Sequence, residues 1–180
     1  PKEFPGIKYD GKRLITSKEA MTLKTIPKKL IIIGAGAIGV EFAYFYNEYG
    51  SEVHLIEMMS NILPIEDEDL SKELETNFEK AGINIYKNSK VSKIQKLQKS
   101  VKVHINEGAA SKIIEADIVL VATGVTGNIE GIGLEDAGVE TVNGSIKINE
   151  YNQTSIDNIY AIGDVSGPPW LAHVASSQGH

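Results

Sequence analysis

The stretch Leu30-Ile31-Ile32-Ile33-Gly34-Ala35-Gly36-Ala37-Ile38-Gly39-Val40-Glu41 decides how the rest of the chain is read. Four consecutive aliphatic residues fit a strand buried on both faces. Three glycines at G-x-G-x-x-G spacing follow, and then a helix-period pattern begins. A strand, a tight turn and a helix N-terminus in that order can cradle a dinucleotide pyrophosphate, because the first helical N–H groups lack partners and point at the anion. Gly34 serves the tight turn, Gly36 lets backbone approach phosphate, and Gly39 lets helix and strand pack closely.

The flanking sequence supports that reading. From Ile38 to Tyr49, helical spacing puts Ile38, Phe42, Phe45 and Tyr49 on one face, expected to be buried, with Gly50 as the C-terminal cap. Glu52-Val53-His54-Leu55-Ile56-Glu57 reads as a second strand ending in an acid. Glu57 follows Gly34 by 57 − 34 = 23 positions, near the spacing of about 20 expected for an acid that binds an adenosine ribose. His54 and His104 fall in alternating segments and read as surface or packing residues.

A second helix follows Pro64, with Leu70, Leu74, Phe78 and Ala81 as its apolar stripe and Gly82 as its cap. Glu66, Asp67, Glu68 and Asp69 crowd its first turn. They read as charges favoured by the helix dipole, and no metal site is assigned. Ile83 to Tyr86 reads as a third parallel strand. Short alternating segments at 91–97, 101–105 and 112–115 then form a β-meander in place of a third crossover helix.

Asp117 to Ala122 is another buried strand, Val139 to Ile148 a hairpin about Asn143-Gly144, and Ile159 to Ile162 a last short strand. A helix begins near Trp170. Residues 1–28 form a leading segment with turns at Pro5-Gly6 and Asp10-Gly11 and a short capped helix over Thr16–Met21. The predicted fold is α/β, a Rossmann-like doubly wound parallel sheet with an antiparallel β-meander flap.

Composition narrows the function classes. The 180 residues carry a formal charge of −6, which disfavours a nucleic-acid partner. No apolar run approaches the roughly 20 residues of a membrane span. There is no cysteine, so thiol catalysis, disulfides and thiolate metal sites are excluded within these residues. Tyr86 and Lys90 match a Y-x-x-x-K catalytic pair, but that pair works from one helix face and here falls at a strand end.

Three motifs in order, Gly34–Phe42, Val121-Ala122-Thr123-Gly124, and Thr154-Ser155 through Ile159-Tyr160-Ala161-Ile162-Gly163-Asp164-Val165, resemble the signatures of the flavoprotein disulfide reductases. Within that family the chain is most similar to the dihydrolipoamide dehydrogenase branch, and to its bacterial type through Gly124–Glu135 and Leu171–Ala175.

The resemblance implies that residues 29–150 form an NAD-binding domain and that 151–180 begin the second segment of an FAD domain. It implies NAD contacts at Gly34, Gly36, Ala37, Ile38 and Gly39. Glu57 would bind the ribose hydroxyls and favour NAD over NADP. Val91 would border adenine, against ordinary strand packing. Glu41 would lie near the nicotinamide end, against a plain helix-start charge. Gly124 would let backbone approach NAD; the basic pair common there is replaced by Val125-Thr126-Gly127. Gly163 and Asp164 would bind FAD in a longer parent.

No catalytic residue is assigned, since the family's redox-active cysteine pair and its His–Glu base are absent. The missing initiator Met and an unfinished helix at His180 lead to the expectation of a piece of a longer enzyme, inactive by itself. That parent would be a homodimer in a 2-oxo acid dehydrogenase complex, cytoplasmic if bacterial and in the mitochondrial matrix if eukaryotic. Another disulfide reductase or an NADH oxidase, and a non-enzymatic NAD-binding module, are the alternatives.

Overall fold

The computed structural model describes residues 8–108 and 110–180; the expected Pro5-Gly6 turn lies outside them. The chain divides into two compact units, one ending at Gly124 and one running from Val125 to His180.

The first unit is built on a five-stranded parallel sheet of β1 (Leu14–Ile15), β2 (Lys29–Ile33), β3 (Glu52–Ile56), β4 (Asn84–Tyr86) and β8 (Ile118–Val121), in the order β1-β8-β2-β3-β4. Short strand β1 comes from the leading segment, where two apolar residues gave no strand signal. Between the strands lie α1 (Ser17–Ala20), α2 (Ala37–Glu48) and α3 (Glu68–Lys80). The expected cap at the start of α1 is a capping box between Thr16 and Glu19.

Side chains alternate between the two faces of the sheet, and each face is covered differently. On one face Leu30, Ile32, Val53, Leu55 and Leu120 pack with Val40, Ala43 and Tyr46 of α2 and Phe78 of α3. On the other, Ile31, Ile33, Ile56, Val119 and Val121 meet Val101, Val103, Ile105, Ile114 and Ala116. Those last five belong to the antiparallel meander of β5 (Ser89–Lys96), β6 (Val101–Glu107) and β7 (Ala110–Ala116). The meander therefore takes the layer that a crossover helix would otherwise fill.

Two helix faces differ from the sequence expectation. In α2 the buried residues are Gly39, Val40, Ala43 and Tyr46, while Phe45 is 45% and Tyr49 64% exposed. The helix approaches the sheet through Gly39, Val40 and Ala43 together with Tyr46, and this turns Phe45 and Tyr49 outward. In α3, Ser71 is buried, with its hydroxyl donating to the Leu63 carbonyl at 3.2 Å, and Leu70 is exposed.

The second unit holds the predicted hairpin, β9 (Thr141–Val142) and β10 (Ser145–Ile146), over a cluster of Leu134, Val139, Ile146 and Ala161. Residues 159–162 form no strand. They make a single antiparallel bridge, Gln153 to Tyr160, and Gly163–Ser166 turns as a short 3₁₀ helix. Helix α4 spans Ala172–Gln178. Among the described residues no helix is long and apolar enough to cross a membrane.

Candidate dinucleotide site

Strands β2, β3 and β4 run outward in one direction, and β8 lies on the other side of β2. Chain order therefore reverses between β2 and β8, and the carboxyl ends of strands at such a point form the ligand crevice of open α/β sheets. Gly34 leaves β2 at this place. Its N–H donates to the Ile56 carbonyl at 2.8 Å, its φ is +99°, and a Cβ would stand 2.6 Å from the Ala122 oxygen. Only glycine fits. Gly39 is needed for a different reason, since a Cβ there would run into the Gly34 carbonyl oxygen.

Gly36 differs from both. Its φ of −73° suits any residue, and nothing lies within 4 Å of where its Cβ would be. It is the N-cap of α2, and no side chain caps that helix end. The N–H groups of Ala37, Ile38 and Gly39 have no intrahelical acceptor. Open space above uncapped donors at the positive end of a helix suits a phosphate group.

Glu57 borders this space. It is 8% exposed. One carboxylate oxygen accepts the Ala35 N–H at 2.7 Å, and the other accepts the Met59 N–H at 2.9 Å. Its own N–H donates to the Tyr86 carbonyl at 2.8 Å, and its carbonyl accepts the Ser89 N–H at 2.9 Å. Asn88, at φ +51°, donates to the Met59 carbonyl at 2.9 Å. Pairing thus continues past the ends of β3 and β4 and fixes the acid at the glycine turn. A carboxylate has about four acceptor directions, so two remain for ligand hydroxyls.

The structure gathers Gly34, Gly36, Ala37, Ile38, Gly39 and Glu57 at the strand ends, with Gly124, at φ +118°, closing the exit from β8. Val91 is half-buried against the meander-side core, at an irregularity in the β5–β6 register. Glu41 stands apart in the second turn of α2. It is exposed and lines a cavity of about 470 Å³ with Ala20, Met21, Phe42, Tyr44 and Phe45. In the second unit, Gly163 has φ +74° and donates its N–H to Gln178 Oε1 at 2.7 Å, while Asp164 is exposed.

Sequence reasoning missed Ala35, Met59, Ser89 and Tyr86 as supports of Glu57. They act through backbone atoms, which leave no side-chain signature. Tyr86 and Lys90 lie on separate strands, so they form no helix-face pair. The acidic run before α3 is structural: Asp67 caps the helix by accepting the Asp69 N–H at 2.9 Å, and Glu68 pairs with Lys72. Among the described residues no group of three acidic or histidine side chains is placed to hold a metal.

A family model described as pyridine nucleotide-disulphide oxidoreductase matches residues 1–179. Curated relatives include the dihydrolipoyl dehydrogenases of Chlorobaculum tepidum, 45% identical over 99% of this chain, and of Bacillus subtilis, 40% identical over 99%. The chain spans 38% of the length of each. Among solved structures, LpdA of Mycobacterium tuberculosis superposes with a TM-score of 0.90 at 31% identity, over 99% of this chain and 39% of that one. The HOCl-induced flavoprotein disulfide reductase of Escherichia coli gives 0.87 at 28% identity, over 99% and 41%. With the family matched along nearly all of its length, the chain belongs to the pyridine nucleotide-disulphide oxidoreductases.

Proposed function

We propose that residues 29–150 are the NAD-binding domain of a dihydrolipoyl dehydrogenase, with 1–28 leading into it and 151–180 opening the second segment of an FAD domain. The observation that carries this reading is Glu57. Its carboxylate is held by two backbone N–H groups beside the open space at Gly36. A ribose with both hydroxyls free can donate to it, whereas a 2′-phosphate would bring negative charge against it. The next residues, Met58-Met59-Ser60, offer no arginine to compensate.

In this reading the backbone of Gly34, Gly36, Ala37, Ile38 and Gly39 binds the pyrophosphate, Val91 borders the adenine, and Gly124 admits the dinucleotide at the β8 exit. Glu41 serves the nicotinamide end. Gly163 and Asp164 contribute to an FAD site completed by residues outside this chain. The bound dinucleotide supplies hydride acceptance; the residues here bind, orient and select it. The parent oxidises dihydrolipoyl groups through a disulfide and FAD, as a homodimer within a 2-oxo acid dehydrogenase complex of the bacterial cytoplasm.

Titrating the intact protein with NADH and NADPH tests the site. Tighter binding of NADPH would overturn it. Dihydrolipoamide oxidation coupled to NAD reduction tests the parent reaction. A second reading, another disulfide reductase of the same family, is favoured by the TM-score of 0.87 to the Escherichia coli reductase. Activity with a different disulfide and none with dihydrolipoamide would select it.

A further inference from the structure

A polar chain centred on one buried histidine, on the meander side of the sheet, is not absorbed by the dinucleotide site. His54 of β3 is 6% exposed and its ring stacks on Tyr86 with centroids 5.8 Å apart. Its Nε2 lies 2.9 Å from Glu52 Oε1, and its Nδ1 lies 3.1 Å from the Tyr86 hydroxyl. The Tyr86 oxygen accepts from Lys112 Nζ of β7 at 3.2 Å, and the same ammonium stands 4.5 Å over the Tyr86 ring. Lys29 of β2 closes the far end on Glu52 at 2.8 Å. The charged and titratable groups facing His54 are Glu52, Lys29, Tyr86 and Lys112.

Hydrogen-bond direction is determined along this chain. The Glu52 carboxylate only accepts, so neutral His54 carries its proton on Nε2. Nδ1 then accepts the Tyr86 O–H, which leaves the phenol oxygen free to accept from Lys112. A second proton on His54 reverses one link. Nδ1–H would compete with Lys112 for the phenol oxygen, and the Tyr86 O–H would have to turn away from the imidazole. It would also bring a buried cation toward the two lysines.

We propose that His54, Tyr86 and Lys112 form a proton-gated latch that clamps meander strand β7 to edge strand β4 and thereby positions Glu57. The coupling is short. The Tyr86 carbonyl receives the Glu57 N–H, and Glu57 follows His54 by three residues, immediately past the end of β3. Burial lowers the His54 pKa; the Glu52 hydrogen bond and charge oppose this, and the Lys29 and Lys112 charges add to it. Because the latched pKa lies below the ordinary imidazole value, the latch is at full strength above about pH 6.5 and weakens as pH falls below that.

The role in ligand binding rests on the dinucleotide reading, so the test has two arms. Hydrogen exchange in the intact protein, corrected for intrinsic rates, reads the Glu57 and Ser89 amides without ligand. NAD titration reads the consequence. Between about pH 7.5 and about pH 5.5, protection of both amides should fall and the NAD Kd rise by roughly threefold or more. His54→Gln should flatten both profiles. Tyr86→Phe, which cannot accept from Lys112, should give the weakened state already at the higher pH. Identical pH profiles of amide protection in wild type and His54→Gln would overturn the latch. PH-dependent protection with an unchanged Kd would overturn its coupling to the site. Absence of NAD binding at every pH, with protection still titrating, would sink the site's reading and leave the latch supported.

Discussion

Gly36→Ala tests whether that glycine is kept for a ligand, as proposed, rather than for the fold. At Gly36 the backbone is ordinary, and an added methyl meets nothing within 4 Å. Alanine is a poorer N-cap than glycine, at a cost below about 1 kcal/mol, and its lower unfolded-state entropy returns about 0.4–1 kcal/mol. The net change is within about 1 kcal/mol, so the melting temperature should move by no more than about 4 °C. The methyl would occupy the open space above the α2 donors. Losing one charge-assisted N–H to phosphate bond costs about 1.5–3 kcal/mol, or roughly 10- to 100-fold in Kd. At Gly39 the same methyl collides with the Gly34 carbonyl oxygen, and stability should fall by about 1–3 kcal/mol or more. Thermal melts by circular dichroism and NADH fluorescence titrations of both variants give the comparison. A Gly36→Ala protein that melts normally and binds NADH as wild type does would refute the assignment of that space to phosphate.

Glu57→Gln removes the charge and replaces one acceptor by an NH₂ group facing a backbone N–H; NADH should bind about tenfold more weakly and the discrimination against NADPH should shrink, as parallel titrations would read. Tyr46→Phe leaves the Ala20 carbonyl, now bonded at 2.6 Å, unsatisfied in the core, and chemical denaturation should report a loss of about 1–2 kcal/mol with binding unchanged. Burial raises the Asp10 pKa, but the N–H groups of Leu14, Arg13 and Lys12 and the Lys96 ammonium outweigh it and hold the carboxyl well below the usual range. Its stabilisation is therefore complete above the ordinary value of about 3.9 and lost as pH falls below it; Asp10→Asn should show a shallower acid-unfolding slope between about pH 4 and about pH 2 in a pH-dependent melt.

The features legible in the sequence are those whose signal is local. Leu30–Ile33 had to be buried on both faces because it is aliphatic throughout, and it forms all but the first residue of the strand in the middle of the sheet. The meander showed itself by alternation, and its inward residues Val101, Val103 and Ile105 are the ones buried. The acid at Glu57 was found by distance from the first glycine. What the sequence hid depends on contacts made far along the chain. Strand β1 is two residues long and exists because β8, over a hundred residues later, offers it an edge. The Ala35 N–H that anchors Glu57 belongs to a residue whose side chain carries no chemistry.

The α2 face shows why hydrophobic periodicity misled. Phe42, Phe45 and Tyr49 form the more apolar stripe, and burial by transfer energy alone would put them inward. Gly39 must abut the Gly34 carbonyl for the turn to close, and this fixes the rotation of the helix about its axis. Val40, Ala43 and Tyr46 then follow Gly39 inward by helical geometry, and the Tyr46 hydroxyl finds the Ala20 carbonyl. Phe45 and Tyr49 are left outside, tilted against one another with ring centroids 4.7 Å apart. The glycine motif thus sets more than the turn at Gly34. Through Gly39 it also chooses which side of α2 is core, at the expense of burying Phe45 and Tyr49.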